Sequence, residues 1–141
     1  ADNAEVKNSL ICNGCEIRGK VYSSILSPGV VVEEGAEVRN CVLFHRCRIE
    51  RGTVISNTIM DKMSVSGQES IIGDGDPSKP NKHYPEYIHS GITLIGRKTL
   101  IHDRARIGTN CLIDGERRDG RIEKKDYPDG ECYVPEEDDF N

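Results

Sequence analysis

Four histidines, six cysteines and a scatter of basic side chains are the groups in this sequence whose chemistry could be put to use. An imidazole can act as a general base, and three together can hold zinc. His45 and His102 fall just after aliphatic residues of a six-residue pattern, and His83 and His89 lie in an interruption of it. No two of the four have the spacing that adjacent repeats would need to share a ligand. Cys12-x-x-Cys15 has the form of half a zinc site or of a redox pair, but no second pair with similar spacing completes it. Gly73-Asp74-Gly75-Asp76 is Gly-rich, yet it follows no strand-to-helix signal of the kind a phosphate loop needs. No carboxylates pair in an evident cleft. The residues therefore assign no catalytic group and no metal ligand. Lys62, Arg97, Lys98, Arg104 and Arg106 are more informative, because they fall on the repeats that flank the interruption. Such a cluster can hold a phosphorylated ligand through charge-assisted hydrogen bonds, and the plainer alternative is a solvated face.

A repeat places these side chains. One large aliphatic residue marks each unit: Ile11, Ile17, Leu26, Val32, Val38, Leu43, Ile49, Ile55, Met60 and Val65, then Ile95, Ile101, Ile107 and Ile113. The last four are six apart, and from Leu26 to Met60 the interval runs six, six, five, twice over. Two residues before each aliphatic stands a small side chain, such as Ser24, Cys41, Thr53, Thr93 or Ala105. Three residues before it the chain favours Gly or Asn (Asn8, Gly14, Gly29, Gly35, Asn40, Gly52, Asn57, Asn110), the types that tolerate a left-handed backbone. A six-residue unit is thus one short strand and one corner. Three units close a triangular coil, and coils stack about 4.8 Å apart with parallel pairing. The aliphatic and the small residue both point inward, and stacking supplies the core that no single coil could bury. The prediction is an all-β, parallel β-helix with Leu26, Leu43 and Met60 at one place on successive coils. Open strand edges at its ends predict self-association.

Residues 1–115 carry the repeat, with residues 74–91 looping out of the stack around Pro77, Pro80 and Pro85. Residues 116–141 read as a charged extension, with Asp129-Gly130 as the turn of a hairpin between 122–126 and 131–134, and 136–139 as a solvated acidic end. The chain opens in mid-pattern at Ala1 without a signal peptide, so a piece of a longer protein is expected. The net charge of −5 without a basic stripe argues against nucleic acid. No apolar run approaches the roughly 20 residues that span a membrane. Most cysteines fall in the inward small column on separate coils, where thiols behave as small hydrophobes, so reduced thiols and a cytoplasmic location are expected.

Asn57-Thr58-Ile59-Met60-Asp61-Lys62 resembles the Asp-Lys turn of the bacterial ADP-glucose pyrophosphorylases, or glucose-1-phosphate adenylyltransferases. The excursion, with Asp76-Pro77, Pro80-Asn81-Lys82, Tyr84-Pro85-Glu86 and then Ser90-Gly91-Ile92-Thr93, resembles the insertion of that family. The likeness covers roughly residues 5 to 115. It implies a left-handed β-helix and a parent enzyme that makes ADP-glucose from ATP and glucose 1-phosphate, with Mg²⁺, for glycogen or starch synthesis. In the family the catalytic machinery belongs to an N-terminal Rossmann-like domain, and nothing here matches it. This chain alone is expected to be inactive and to hold no cofactor. The implied partners are its own catalytic domain, homo- or hetero-oligomer subunits and a phosphorylated effector. Lys62 matches the lysine of the Asp-Lys turn, and Arg97 falls where a second effector lysine is expected; arginine keeps the charge but changes the geometry. The alternative is a self-standing hexapeptide acyltransferase, with acetyl-CoA and a trimeric His site.

Overall fold

The computed structural model describes residues 3–135. Short strands of two or three residues alternate with corners, and successive coils pair in parallel to form three flat faces. The first face holds seven strands, from Glu5–Lys7 to Asp126–Tyr127, and the second another seven, from Leu10–Ile11 to Cys132–Tyr133. The third holds five, from Glu16–Ile17 to Leu100–Ile101. The chain visits the faces in rotation, its last pass over the third face reduced to a single bridge between Leu100 and Arg121, and the architecture is a left-handed parallel β-helix. Among the described residues no helix is long and apolar enough to cross a membrane.

Register explains the periodicity. Leu26 pairs with Leu43 and Leu43 with Met60; the column then continues through Ile95 and Ile113 to Tyr133. Leu26, Leu43, Ile49, Ile55 and Met60 are fully buried. Each such side chain contributes about 1.5–3 kcal/mol by leaving water. The small column lies inside as well. Several of its hydroxyls bond a carbonyl of the following coil, Thr53 Oγ1 donating to Gly67 O, Ser64 Oγ to Gly96 O and Thr93 Oγ1 to Gly108 O, each at 2.7 Å, whereas Ser24 and Thr58 donate to Tyr22 O and Ser56 O of their own coil. Among the described residues no buried side-chain N or O atom lacks a partner. Ser and Thr therefore fill tight space without a desolvation penalty.

Every Gly and Asn of the predicted corner column has a positive φ, from 49° at Asn57 to 79° at Gly29. The same position elsewhere is filled by Ser23, Arg46, Met63, Glu69, Lys98 and Arg104, also at positive φ. The left-handed region costs such residues about 1–2 kcal/mol each. The corner is imposed by the coils above and below it.

Two expectations are corrected. Val65 does not point inward: Ser66, fully buried, pairs with Ile49 and Ile101, and Val65 faces out beside Arg48 and Leu100. The coil fixes the register, and the residue six beyond Met60 is Ser66. Residues 116–141 are not a hairpin-bearing extension as far as they are described. Asp126–Tyr127 pairs in parallel with Arg106–Ile107, and Cys132–Tyr133 with Leu112–Ile113, so the β-helix continues through Tyr133. Tyr127 and Tyr133 take the inward aliphatic positions, their ring centroids 6.1 Å apart, and close that end of the core. The segment 136–139 lies outside the described residues.

The excursion leaves after Ile71–Ile72 on the first face and returns at Thr93–Ile95 on the second, so it occupies the corner between them. It folds back along that corner, where Lys82 N donates to Gly130 O at 2.8 Å and Lys82 Nζ pairs with Glu131. The faces also differ in character. Outward positions of the first face include Lys20, Glu37 and Arg106; those of the second are Leu10, Ile25, Val42, Ile59, Leu94, Leu112 and Cys132. Its first four strands carry no charged side chain in a protein that is 30% charged.

A candidate effector corner

Lys62 and Arg97 both lie at the corner that leaves the second face. Met60 pairs with Ile95, so two residues later Lys62 stacks on Arg97 one coil away. Asp61 N donates to Ile95 O at 2.8 Å and Lys98 N to Lys62 O at 2.9 Å, which fixes the two corners against each other. The excursion leaves from a different corner, so it lengthens the chain between the two cations without separating their coils. Lys98 shares this corner. Arg104 and Arg106 do not: Arg104 turns the corner out of the third face, and Arg106 lies on the first face beside Ile71, with Nη1 donating to Glu69 O at 3.3 Å. The five cations thus divide three and two.

The charges at the corner are unequally satisfied. Arg97 Nε pairs with the Glu116 carboxylate, whereas Lys62 has no ion pair among the described residues. Lys62 is half-buried, and its backbone N–H donates to Asp61 Oδ1 at 2.7 Å, which sets the turn. Two members of the corner were missed in the sequence. His45 stands one rung before Lys62, its carbonyl accepting from Met63 N at 2.8 Å. The interval from His45 to Lys62 equals the interval from Leu43 to Met60, which was the available signal. Glu116 lies beyond the last six-residue interval and gave none.

The other candidates stay apart. His102 Nε2 meets Ile122 O at 3.1 Å at another corner, and His83 and His89 are exposed on the excursion. All six cysteines are free, and no group of His, Cys, Asp and Glu could hold a metal ion among the described residues. Cys15 turns toward the core and donates to Ser27 O at 3.2 Å, so it does not face a metal with Cys12. Cys132 lines a small cleft with His83 and Tyr84, but burial pushes its thiol above the ordinary value, the reverse of an activated nucleophile. In Gly73–Asp76 the backbone is spent on structure: Asp76 N donates to Asp129 Oδ2 at 3.0 Å.

The sequence profile described as GlmU-like, C-terminal hexapeptide matches residues 1–95. Curated relatives are named glucose-1-phosphate adenylyltransferase. That of Acetivibrio thermocellus is 37% identical over 77% of this chain and 25% of its own length. That of Thermosipho melanesiensis is 42% identical over 80% of this chain and 27% of its own length. That of Thermomicrobium roseum is 38% identical over 95% of this chain and 32% of its own length. The chain thus spans about a quarter to a third of the relatives it matches. No solved structure gives a significant match.

Proposed function

Because this chain belongs to the GlmU-like, C-terminal hexapeptide family, we propose that it is the regulatory and assembly domain of a glucose-1-phosphate adenylyltransferase. One observation carries the reading: relatives of that name match 77–95% of this chain but only 25–32% of themselves. In this reading the parent is a cytoplasmic enzyme that uses ATP, glucose 1-phosphate and Mg²⁺ to supply ADP-glucose for glycogen or starch synthesis. Its catalytic domain is a separate part of the polypeptide.

Lys62 and Arg97 form the effector site of this domain, with a phosphorylated metabolite as ligand. The stacking of the two cations supports this assignment, since a phosphate can reach two rungs about 4.8 Å apart. Binding acts on catalysis if the two states of the enzyme hold the anion with different affinity. The assembly role is supported by the uncharged second face, which adjoins the corner directly: Ile59 and Met60 lead into Asp61 and Lys62. An apolar face of that kind suits burial against another domain or subunit.

The test is an activation curve of the full-length enzyme. Lys62→Ala and Arg97→Ala should each raise the half-activating concentration by tenfold or more, at about 1.5–3 kcal/mol per charge-assisted contact, and leave unactivated turnover nearly intact. Unchanged curves for both variants would return the two cations to ordinary surface charge.

A further inference from the structure

We infer that the N-terminal end of the β-helix is a docking surface for the polypeptide ahead of Asn3, which adds strands to the open edges of Glu5–Lys7, Leu10–Ile11 and Glu16–Ile17. The inference rests on the reading that this chain is one part of a longer enzyme.

These three strands are the end strands of the three faces. Successive peptide groups of a strand point to opposite edges. Leu10 N and Cys12 N donate to Ser24 O and Leu26 O, and Glu16 N and Arg18 N to Val30 O and Val32 O. Glu5 N donates to Gly19 O, and Lys7 O accepts from Ser23 N. Val6, Ile11 and Ile17 lie between these residues, so their N–H and C=O groups point away from the second coil. Among the described residues no strand meets them there. They are also the inward residues of the first coil. Val6 is 44% exposed, and Ile11 and Ile17 are half-buried, although their partners one coil on, Val21, Leu26 and Val32, are fully buried.

The opposite end is built differently, since Tyr127 and Tyr133 close the core there. Terminal repeats ordinarily carry a cap, and an uncovered edge invites pairing. The first coil instead has the apolar interior and the open edge of a middle repeat. Two observations name its occupant. Asn3 belongs to the first coil, lining a groove with Gly19 and Lys20, so polypeptide ahead of it emerges at this end. The relatives match the chain with their C-terminal part, 25–32% of their length, and the remainder lies ahead of it. Followed backward, the rotation of the faces brings that segment first to Glu16–Ile17. A strand added there supplies partners for the peptide groups and covers the apolar interior in one step.

Hydrogen–deuterium exchange of the full-length enzyme, resolved to single amides by mass spectrometry, is the test. The amides of Val6, Ile11 and Ile17 should exchange at least about tenfold more slowly there than in this chain alone at low concentration, the equivalent of one net hydrogen bond. The amides of Leu10, Cys12, Glu16 and Arg18, paired in both, report that the fold is kept. Val6→Lys should abolish the difference, because its ammonium reaches water from an open end and not from beneath a further strand. Equal exchange of the three amides in both proteins overturns the docking surface, as does protection that survives Val6→Lys. Protection in this chain alone that rises with its concentration gives the end to a second copy and overturns the inference too. ADP-glucose formation by the same enzyme is scored separately: a failed docking surface leaves that activity standing, and exchange decides the docking surface whether or not the activity is found.

Discussion

Asn81 and Asn110, both fully buried, join the excursion to the β-helix: Asn81 Nδ2 donates to the Asn110 carbonyl at 2.9 Å. Asn110 then closes the loop on itself. Its Oδ1 accepts from Gly91 N at 2.8 Å, and its Nδ2 donates to the carbonyls of Pro77 and Lys79. Asn81 Oδ1 accepts from the backbone N–H groups of His83 and Tyr84 and from the Cys132 thiol. Asn110 is also a corner residue, with φ 56°. One side chain thus turns the coil and holds both ends of a long strandless segment.

Asn110→Ala removes three side-chain hydrogen bonds and strains the corner. At about 1 kcal/mol per bond and 1–2 kcal/mol for the left-handed backbone, the loss should be at least about 3 kcal/mol. Asn110→Gly relieves the backbone and should recover about 1 kcal/mol of it. Urea denaturation of both variants reads the difference. A loss below about 1 kcal/mol for the alanine variant would show that the excursion does not depend on this residue.

Stability should fall in alkali. Burial pushes the Cys41 thiol up to about 12, and the Cys47 and Cys111 thiols up to about 11. The unfolded thiols ionise from about pH 8.5, while the folded ones keep their protons. Their stabilising contribution is fully present below that pH and is lost as pH rises toward 11–12. The slope is about 1.4 kcal/mol per pH unit for each thiol. Thermal or urea unfolding between pH 7.5 and 10.5 checks this, and Cys41→Ala should flatten the curve. A flat profile in the native chain would contradict the burial of these thiols.

The isolated chain should form no ADP-glucose from ATP, glucose 1-phosphate and Mg²⁺. A sensitive pyrophosphate-release assay is sufficient to test it. Turnover by the pure chain that scales with its concentration would overturn the domain assignment.

Association should follow the second face. Leu10 and Ile25 are 61% and 46% exposed in a stretch without charge. Sedimentation of the chain at high concentration should show dimers or larger species. Leu10→Lys with Ile25→Lys should move the distribution toward monomer without lowering stability by more than about 0.5 kcal/mol, since both side chains point outward. A native chain that stays strictly monomeric would remove the second face from assembly.

The coils were legible because interval and side-chain size vary together: a large aliphatic inside, a small residue two before it and Gly or Asn at the corner. Legibility ended where one of these changed. Ser66 took an aliphatic position and Val65, next to it, drew the assignment. Beyond Ile113 the inward residues became Tyr127 and Tyr133, and the 3-10 turn at Glu116–Arg118 stretched the interval, so the last coil read as a tail. The placement of Lys62 over Arg97 followed from the looping out of residues 74–91. The seat of Glu116 on Arg97 depends on how that 3-10 turn folds over the corner, and no periodic feature encodes it.

The corner that releases the excursion separates the length of the polypeptide from the length of the molecule. Gly73 N still donates to Ile107 O and Thr93 N to Asn57 O, so the neighbouring coils accept the passage through residues 74–91 as though it were one bend. Material can be added at the exposed residues 85–87 of that passage, away from the Asn81 and Asn110 anchors, without shifting any rung that follows. The β-helix then serves as a fixed ruler on which this corner is free to vary, while features anchored elsewhere, Lys62 and Arg97 among them, keep their places.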